Sequence, residues 1–500
     1  MAEQKNIFVG WVGPSNKLSA PRFDAQRAHN CFVETNPLGM GKEQQTGVLL
    51  SRPGLRPRAS LFGGEIRGMH AVSNGGHQYA VAGSRVYAST DNFVTSTLIG
   101  IISTSSGPVS FADNGASNGA PTVIMVDGVA GYRWSEATPT DFAMITTTTD
   151  PGWRRASTIT FQDRYFIANQ VDTDSFFVSD VNAPTFSEST DAAKSGYGDK
   201  IVAVISNNRT LYLLGEKTLE TWWNTGTSAV LPFTRIDGQF SNTGCAAGAT
   251  VRKLADMFFW VGPNEQGGPI VYAMKGTPSR ISNHAVELSL QSLTAEQLAT
   301  ATAWTYQENG HFFYLLCADG LDTTWVYDVS TNLWHERRSF DGQNGQTRHL
   351  ADCGIFANGE TLCGSHMNNE NNGAIYVLDQ TYRYDDTYPI LWLRASPHLS
   401  SALNNQSVFM LQLDCQAGQA DLTGTSAAID PHLTLRVSKD GGQTWGLPKK
   451  AALGKTGRWQ TRQRWHRLGY GRDFVFEVSC TDPVDVQVLS AWLVMDGGNS

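Results

Sequence analysis

The sequence predicts an all-β protein: a β-propeller of six or seven blades, an additional C-terminal β-sandwich and one short helical connector. Its 500 residues exceed three times the usual domain length of about 150, so we expect several domains or one large repeat architecture. Glycine is frequent (49 residues), charged residues make up only 17% and aromatic residues 10%, which favours strands over long solvated helices. Paired apolar runs recur at a nearly constant interval, as in propeller blades.

The first 60 residues are rich in proline and contain few periodic runs. Pro14, Pro21, Pro37, Pro53 and Pro57 fall within them. This composition predicts an extended arm or lid over residues 1–60. The pattern leaves open whether that arm packs on the propeller or on the sandwich.

Seven hairpin units predict a propeller over residues 61–389. Each unit is an apolar or aromatic run, a turn and a second apolar run. The turns recur every 43 to 57 residues, the period of a four-stranded blade, and a ring of blades covers faces that a lone sheet would expose. The longest interval leaves the blade count at six or seven. The units are residues 77–88, 121–134, 164–179, 209–223, 257–273, 311–327 and 361–377.

A helical signal interrupts the repeats at residues 292–304. Thr294 is a suitable N-cap, and Gln297 stands three residues later, where a capping box needs it. We therefore expect one short helix in a connector that lengthens the longest interval between hairpins.

Residues 390–500 differ in composition from the repeats and predict a separate C-terminal β-sandwich. Residues 409–413, 433–438, 474–479 and 486–494 alternate inward and outward side chains, as half-buried strands do. This domain also contains the strongest charge anomaly of the chain.

Ten basic residues lie between positions 436 and 472, with Asp440 as the single acid, so this segment carries +9. The whole chain carries −8, which leaves −17 for the remainder. Such asymmetry predicts docking on an acidic protein ring or on DNA phosphate, whereas a solvated sheet face is the alternative. On a strand, Arg458, Arg462 and Arg464 would share one face and Trp459 the other. The candidate basic face for a partner or DNA consists of Arg436, Lys439, Lys449, Lys450, Lys455, Arg458, Arg462, Arg464, Arg467 and Arg472.

Local signatures of several common enzyme and metal sites are missing from the sequence. It contains no H-E-x-x-H, G-x-G-x-x-G or C-x-x-C motif, and Lys449 occupies the position where a phosphate loop ending at Thr456 needs glycine. We predict no catalytic residue, no metal and no cofactor. Residues 438–445 (SKDGGQTW) are similar to the Asp-box hairpin of sialidases, so a sialidase-like or carbohydrate-binding β-propeller is the alternative function.

Several short motifs follow one another in a fixed order over about residues 25–495. In these motifs the chain resembles the packaged-DNA stabilisation proteins, the tail hub or nozzle proteins of short-tailed bacteriophages (podoviruses). The motifs are Asn30-Cys31-Phe32, Ser51-Arg52-Pro53-Gly54-Leu55, Ile66-Arg67-Gly68-Met69, Phe161-Gln162-Asp163-Arg164-Tyr165, residues 175–180, 211–226 and 293–301, and Arg464-Trp465-His466-Arg467-Leu468-Gly469.

The resemblance implies a structural virion protein without enzymatic activity. Such a tail hub and head-closure factor forms a homohexameric ring below the portal and its head-to-tail adaptor protein, retains packaged DNA and forms the ejection channel. It also docks tailspikes or tail fibres and a needle or plug, and genomic DNA passes it without sequence specificity. No run of about 18 apolar residues occurs, so we expect assembly in the host cytoplasm without membrane insertion.

Overall fold

The structure is a computed structural model that describes residues 5–17, 24–35, 47–74, 76–115, 121–187, 190–227, 231–340, 342, 345–400, 404–420 and 426–497. Strands account for 55% of the residues and helices for 4%, which confirms the predicted all-β class. A β-propeller and a C-terminal β-sandwich are both present, as the sequence predicts.

The N-terminal residues contribute strands to both domains. Five strands join the sandwich, and a sixth crosses to the propeller. The region expected as an arm over residues 1–60 therefore forms six strands, all of them paired in sheets of the two domains. These strands are β1 (Lys5–Val9), β2 (Asn16–Lys17), β3 (Ala25–His29), β4 (Cys31–Thr35), β5 (Gly47–Ser51) and β6 (Gly54–Phe62).

The propeller has seven four-stranded blades within the described residues, each an antiparallel meander. Blades 1 to 3 are β7 (Ile66–Ala71), β8 (Gln78–Ala82), β9 (Arg85–Ser89) and β10 (Thr97–Ile101); β11 (Ser110–Asp113), β12 (Thr122–Val126), β13 (Gly131–Ser135) and β14 (Thr138–Ile145); and β15 (Ile159–Gln162), β16 (Tyr165–Asn169), β17 (Ser175–Val178) and β18 (Asp191–Ala193). Blades 4 and 5 are β19 (Ile201–Asn207), β20 (Thr210–Gly215), β21 (Leu219–Asn224) and β22 (Phe233–Ser241); and β23 (Arg252–Leu254), β24 (Met257–Pro263), β25 (Pro269–Lys275) and β26 (Thr277–Arg280).

Blades 6 and 7 carry the additional pairings that lead to the sandwich. Blade 6 is β27 (Thr302–Glu308), β28 (His311–Cys317), β29 (Thr324–Asp328) and β30 (Leu333–Phe340), and β31 (Gln346–Arg348) pairs with β30. Blade 7 is β32 (Ala351–Ala357), β33 (Glu360–Asn369), β34 (Asn372–Asp379) and the N-terminal strand β6, to which β35 (Tyr384–Asp385) and β36 (Tyr388–Pro389) are added.

The seven predicted hairpins are the two central strands of the seven blades. These strands are buried on both faces between neighbouring blades, as the fully buried β8 and β29 illustrate. Double burial demands a continuous apolar run, which is why the central hairpins are visible in the sequence and the outer strands are not. The structure also sets the blade count at seven.

An N-terminal strand closes the ring of blades. Strand β6 pairs antiparallel with β34 as the outer strand of blade 7, and the Gly63-Gly64 turn leads directly into β7 of blade 1. Gly63 has a φ of +139°, and a Cβ there would lie 2.3 Å from the Ala82 carbonyl oxygen, so only glycine fits this turn. Closure thus uses residues far apart in the chain.

The connector before blade 6 contains two helices rather than one. Helix α1 (His284–Gln291) is capped by Asn283, and α2 (Ala295–Ala299) has the predicted capping box of Thr294 and Gln297. The prediction of a helix as far as residue 304 is wrong, because β27 begins at residue 302 and buries Trp304 in the propeller. A 3-10 turn (Gly248–Thr250) precedes blade 5.

The sandwich packs two sheets around one apolar core that includes Trp11, Leu411, Leu435, Phe476 and Leu493. One sheet has the order β4-β5-β44-β39-β42, with β1 on β44; the other has the order β3-β37-β43-β40-β41, with β2 on β3 and β38 on β43. The C-terminal elements are β37 (Trp392–Ala395), β38 (Leu399–Ser400), β39 (Gln406–Cys415), α3 (Ser426–Ile429), β40 (His432–Ser438), β41 (Lys449–Ala452), β42 (Gln463–Gly471), β43 (Asp473–Cys480) and β44 (Val488–Gly497).

Blade 6 and one sandwich sheet form a single continuous sheet. Strand β3 pairs in parallel with β30 through His29 and Glu336, so the strand order runs β27-β28-β29-β30-β3-β37-β43-β40-β41. At about 4.8 Å between strands, these nine strands span about 40 Å from the inner strand of blade 6 to β41. The sandwich therefore extends outward from the propeller.

A buried ion pair joins the two segments that cross between the domains. Arg52, between β5 and β6, donates to Asp385 at 2.9 and 2.5 Å and to Asn30 Oδ1 at 2.8 Å. Asp385 lies on the return segment after blade 7 and also accepts from Ser339 Oγ at 2.6 Å. Both charged side chains are almost completely buried.

Several ionisable side chains are buried beside this crossing. Burial and the nearby Arg52 and Arg337 guanidinium groups hold the pKa of His349 well below its usual value, and burial with Arg337 does the same to the pKa of His335. Burial raises the pKa of Glu336, but His29, Arg338 and Ser15 outweigh it and hold that pKa below the usual range. Folding therefore keeps the two histidines neutral and Glu336 charged.

Replacement of Asp385 by alanine is expected to lower the free energy of unfolding by about 3–5 kcal/mol, because the Arg52 charge would remain buried without its partner. Urea-induced unfolding measures this difference. Lys200→Ala is the matched control: it removes the exposed Lys200–Asp172 pair (3.4 Å) and should cost less than about 1 kcal/mol. Equal losses in the two variants would contradict a special role for the buried pair.

The protein is expected to lose stability as the pH falls from 7.5 to 5.5. The unfolded chain binds protons on its histidines below about pH 6.5, whereas His335 and His349 stay neutral in the folded protein, so each costs up to about 1.4 kcal/mol per pH unit. His311, whose pKa Asp328 raises, acts in the opposite direction. Urea midpoints at both pH values test the net loss, which His349→Gln should reduce; an unchanged or higher midpoint at pH 5.5 would contradict it.

Candidate functional site: the basic edge of the sandwich

The ten predicted basic residues lie along one edge of the sandwich, on β40, β41, β42 and their connecting loops. In each sandwich sheet the strand nearest the propeller, β3 or β4, stands at one end of the strand order, and β41 or β42 stands at the other. The cations therefore occupy the side of the sandwich that faces away from the propeller. We call these ten residues the basic edge.

Contacts between β41 and β42 close the sandwich at this edge. Lys449 Nζ donates to the carbonyl oxygens of His466 and Arg467 at 3.1 and 2.9 Å. In return, Trp465 Nε1 donates to the Lys449 carbonyl oxygen at 2.9 Å. Lys449 therefore has a structural role as well as a charge.

Four further cations of the basic edge contact other side chains or the backbone. Arg436 lies 3.0 Å from Glu477 and stacks over Trp445, and Arg464 Nε donates to Gln412 Oε1 at 2.6 Å. The remaining two contacts are a 3.3 Å pair of Lys455 with Asp430 and the close approach of the Lys439 ammonium to Gly469.

The other five cations are exposed and form no ion pair with any residue that the structure describes: Lys450, Arg458, Arg462, Arg467 and Arg472. Large apolar side chains are exposed on the same edge, namely Leu447 (88%), Trp459 (64%) and Tyr470. Arginine, tryptophan and tyrosine are the residues that dominate binding energy in protein interfaces. Half of the basic edge is thus available to a partner.

The predicted strand through Arg458, Arg462 and Arg464 is wrong over residues 458–462. Arg458 N donates to the Lys455 carbonyl oxygen at 2.9 Å, and Thr461 N donates to the Arg458 carbonyl oxygen at 3.2 Å, so these residues form consecutive turns. Strand β42 begins only at Gln463. The turns bring Trp459 to the surface together with Arg458 and Arg462, instead of onto the opposite face.

The Asp-box-like residues 438–445 form a self-contained turn. Asp440 accepts hydrogen bonds from Ser438 Oγ (2.7 Å), Thr444 N (2.9 Å) and Thr444 Oγ1 (2.6 Å). These hydrogen bonds, those from Thr444 above all, hold the pKa of Asp440 well below its usual value. The carboxylate is used by its own loop.

A cleft at one mouth of the propeller channel was missed in the sequence. Its volume is about 300 Å³, and Glu65, Arg67, Arg252, Arg348 and Asp352 are among its lining residues. They come from the starts of inner strands and from the neighbouring loops of four blades, so no local motif marks them. Burial raises the pKa of Glu65, and the nearby Asp319 and Asp352 raise it further.

Two histidines of blade 1 pair with carboxylates of blade 2. His70 lies 2.9 Å from Asp113, and His77 lies 2.9 Å from Glu136. Among the described residues, no group of three or more His, Cys, Asp or Glu side chains is arranged to hold a metal ion. The described helices include none that is long and apolar enough to span a membrane.

Comparison with solved structures found matches of low similarity. The N-terminal domain of Nup159 is 11% identical, with a TM-score of 0.38 over 70% of this chain and 98% of that chain. The Cps50 (Swd1) β-propeller domain of Myceliophteria thermophila is 7% identical, with a TM-score of 0.39 over 64% of this chain and 99% of that chain. No curated protein matched the chain.

Two protein-family models together match nearly the whole chain. The model described as bacteriophage P22 Gp10, beta-propeller, matches residues 22–383, and the model described as bacteriophage P22 Gp10, beta-sandwich, matches residues 391–494. They confirm the resemblance that the collinear motifs indicate. The chain therefore belongs to the bacteriophage P22 Gp10 family of packaged-DNA stabilisation proteins and is a structural component of a phage virion.

Proposed function

We propose that this protein is the tail hub and head-closure factor of a short-tailed phage. Six copies form a ring below the portal and its adaptor, retain the packaged genome and surround the ejection channel. The same ring docks tailspikes or tail fibres and a needle or plug. The match of both family models, which together extend from residue 22 to residue 494, is the observation that carries this proposal.

The shape of the chain supports a role with several neighbours. The sandwich extends outward from blades 6 and 7, so the molecule has a propeller end, a sandwich end and two broad faces. The exposed cations and aromatic side chains of the basic edge lie at the sandwich end, where they are accessible to another protein. A ring component needs separate surfaces for its own copies, for the adaptor and for the spike or fibre.

DNA has to pass between copies rather than through a propeller. Side chains of blades 1, 5, 6 and 7 meet in one cleft of about 300 Å³ at the channel mouth. Double-stranded DNA, whose major groove alone is about 12 Å wide, does not fit such a space. We therefore place the genome on the axis of the ring, where the net negative remainder of the chain would repel phosphate and let DNA slide.

Phage particles assembled without this protein are expected to package DNA and then lose it, because nothing closes the portal. The measurement is the amount of nuclease-protected genome per particle, with and without the protein supplied in trans. As a control, the variant Lys217→Glu/Lys275→Glu, altered at two exposed lysines of blades 4 and 5, should restore retention. Full retention without the protein would contradict the proposal, and turnover of a fluorogenic sialoside by the purified protein would favour the sialidase-like alternative.

A further inference from the structure

The two ends of this molecule carry opposite charge. Between residues 159 and 193, blade 3 contains six acidic residues against Arg164 alone, which gives −5, the largest acidic excess of the seven blades. Two of these carboxylates pair with cations that follow blade 3 in the chain, Asp163 with Arg209 and Asp172 with Lys200. Asp191 is exposed and forms no ion pair with any described residue. The basic edge belongs to a segment of +9.

The arrangement of the seven blades places blade 3 and the basic edge at opposite ends, or poles, of one molecule. The sandwich is attached to blades 6 and 7, through β30 with β3 and through the crossing at Arg52 and Asp385. In a closed ring of seven blades, the blade opposite the boundary between blades 6 and 7 is blade 3. The basic edge lies on the far side of the sandwich, so the long axis of the molecule runs from blade 3 to the basic edge.

Both poles also expose large apolar side chains next to their charges. On blade 3, Val181 (53%) is exposed next to Asp180 in the chain, and Tyr197 (51%) is exposed in the segment that follows β18. At the other pole, Leu447 and Trp459 are exposed beside Lys450, Arg458 and Arg462. An apolar centre with a charged surround is the usual composition of a protein interface, and it favours a protein over DNA as the partner.

We propose that the basic edge of one copy docks on blade 3 of the next copy, so that charge-complementary poles build the ring head to tail. A contact between two different surfaces of identical chains is heterologous, and it gives a closed ring when the rotation between copies closes. The inference rests on the proposed ring but names its contact: cations and Trp459 from one copy, carboxylates and Val181 from its neighbour. Opposite charges also set the direction of assembly, because edge-to-edge and blade-to-blade contacts repel.

The test uses two charge-reversed variants of the full chain. The edge variant is Arg458→Glu/Arg462→Glu, and the blade variant is Asp174→Lys/Asp191→Lys. Asp172 is kept because its φ of +64° is unfavourable for lysine. Sedimentation should show each variant alone as monomers under conditions in which the wild type forms rings. In each variant the reversed pole has the same sign of charge as the pole that it would contact on the next copy.

An equimolar mixture of the two variants should recover assembly. The blade variant retains the basic edge, the edge variant retains acidic blade 3, and the two reversed poles are again opposite in charge. Alternating copies can therefore form every contact. Wild-type rings should also dissociate as salt rises from about 0.1 to 1 M, where the screening length falls from about 10 to 3 Å. Lys217→Glu/Lys275→Glu is the matched control and should assemble like the wild type.

The proposal is overturned if either variant assembles alone, if the mixture stays monomeric, or if the wild type is monomeric at every concentration and salt tested. An edge variant that still forms rings but no longer binds the adaptor would assign the basic edge to that partner instead. Failure of the proposed function would be seen in the particle experiment instead. Particles would then keep their DNA without the protein, whatever the sedimentation of the variants.

Discussion

The two domains depend on the place where the chain crosses between them. It crosses from the sandwich to the propeller at Arg52 and returns to the sandwich after Asp385, and the buried ion pair of these residues holds both crossings together. Asn30 adds a third segment, since its side chain accepts from Arg52 Nε and donates to the Leu391 carbonyl oxygen at 2.8 Å. Separating the pair would leave each charge buried without its partner, so the ion pair opposes displacement of the crossing segments.

Ring closure follows from the same crossing. Strand β6 begins at Gly54, two residues after Arg52, and it must pair with β34 to complete blade 7. A Cβ at Gly54 would lie 2.1 Å from the Tyr382 carbonyl oxygen, so the return segment passes directly over the start of the closing strand. The position of the sandwich and the closure of the propeller are therefore set by one group of contacts. Neither domain is an independent appendage of the other.

How far the sequence predicts this structure depends on the burial of each element. The central hairpins are apolar throughout because both faces are buried, so their period revealed the propeller. Strand β3 reads Ala-Gln-Arg-Ala-His, with no apolar alternation, because it lies between two strands that belong to different domains, β30 and β37. The +9 segment was visible as composition, but the division into paired and exposed cations depends on Glu477, Gln412 and Asp430, which only the fold brings near.

The continuous sheet from blade 6 to the basic edge has a mechanical consequence. A pull on the basic edge directed away from the propeller acts across the strands, so the hydrogen-bond ladders along this sheet bear its load in series. The junction of β3 with β30 pairs through one residue on each strand and is the shortest ladder in the path. The Arg52–Asp385 pair lies in parallel with that junction and shares its load, and so protects it against peeling apart under tension.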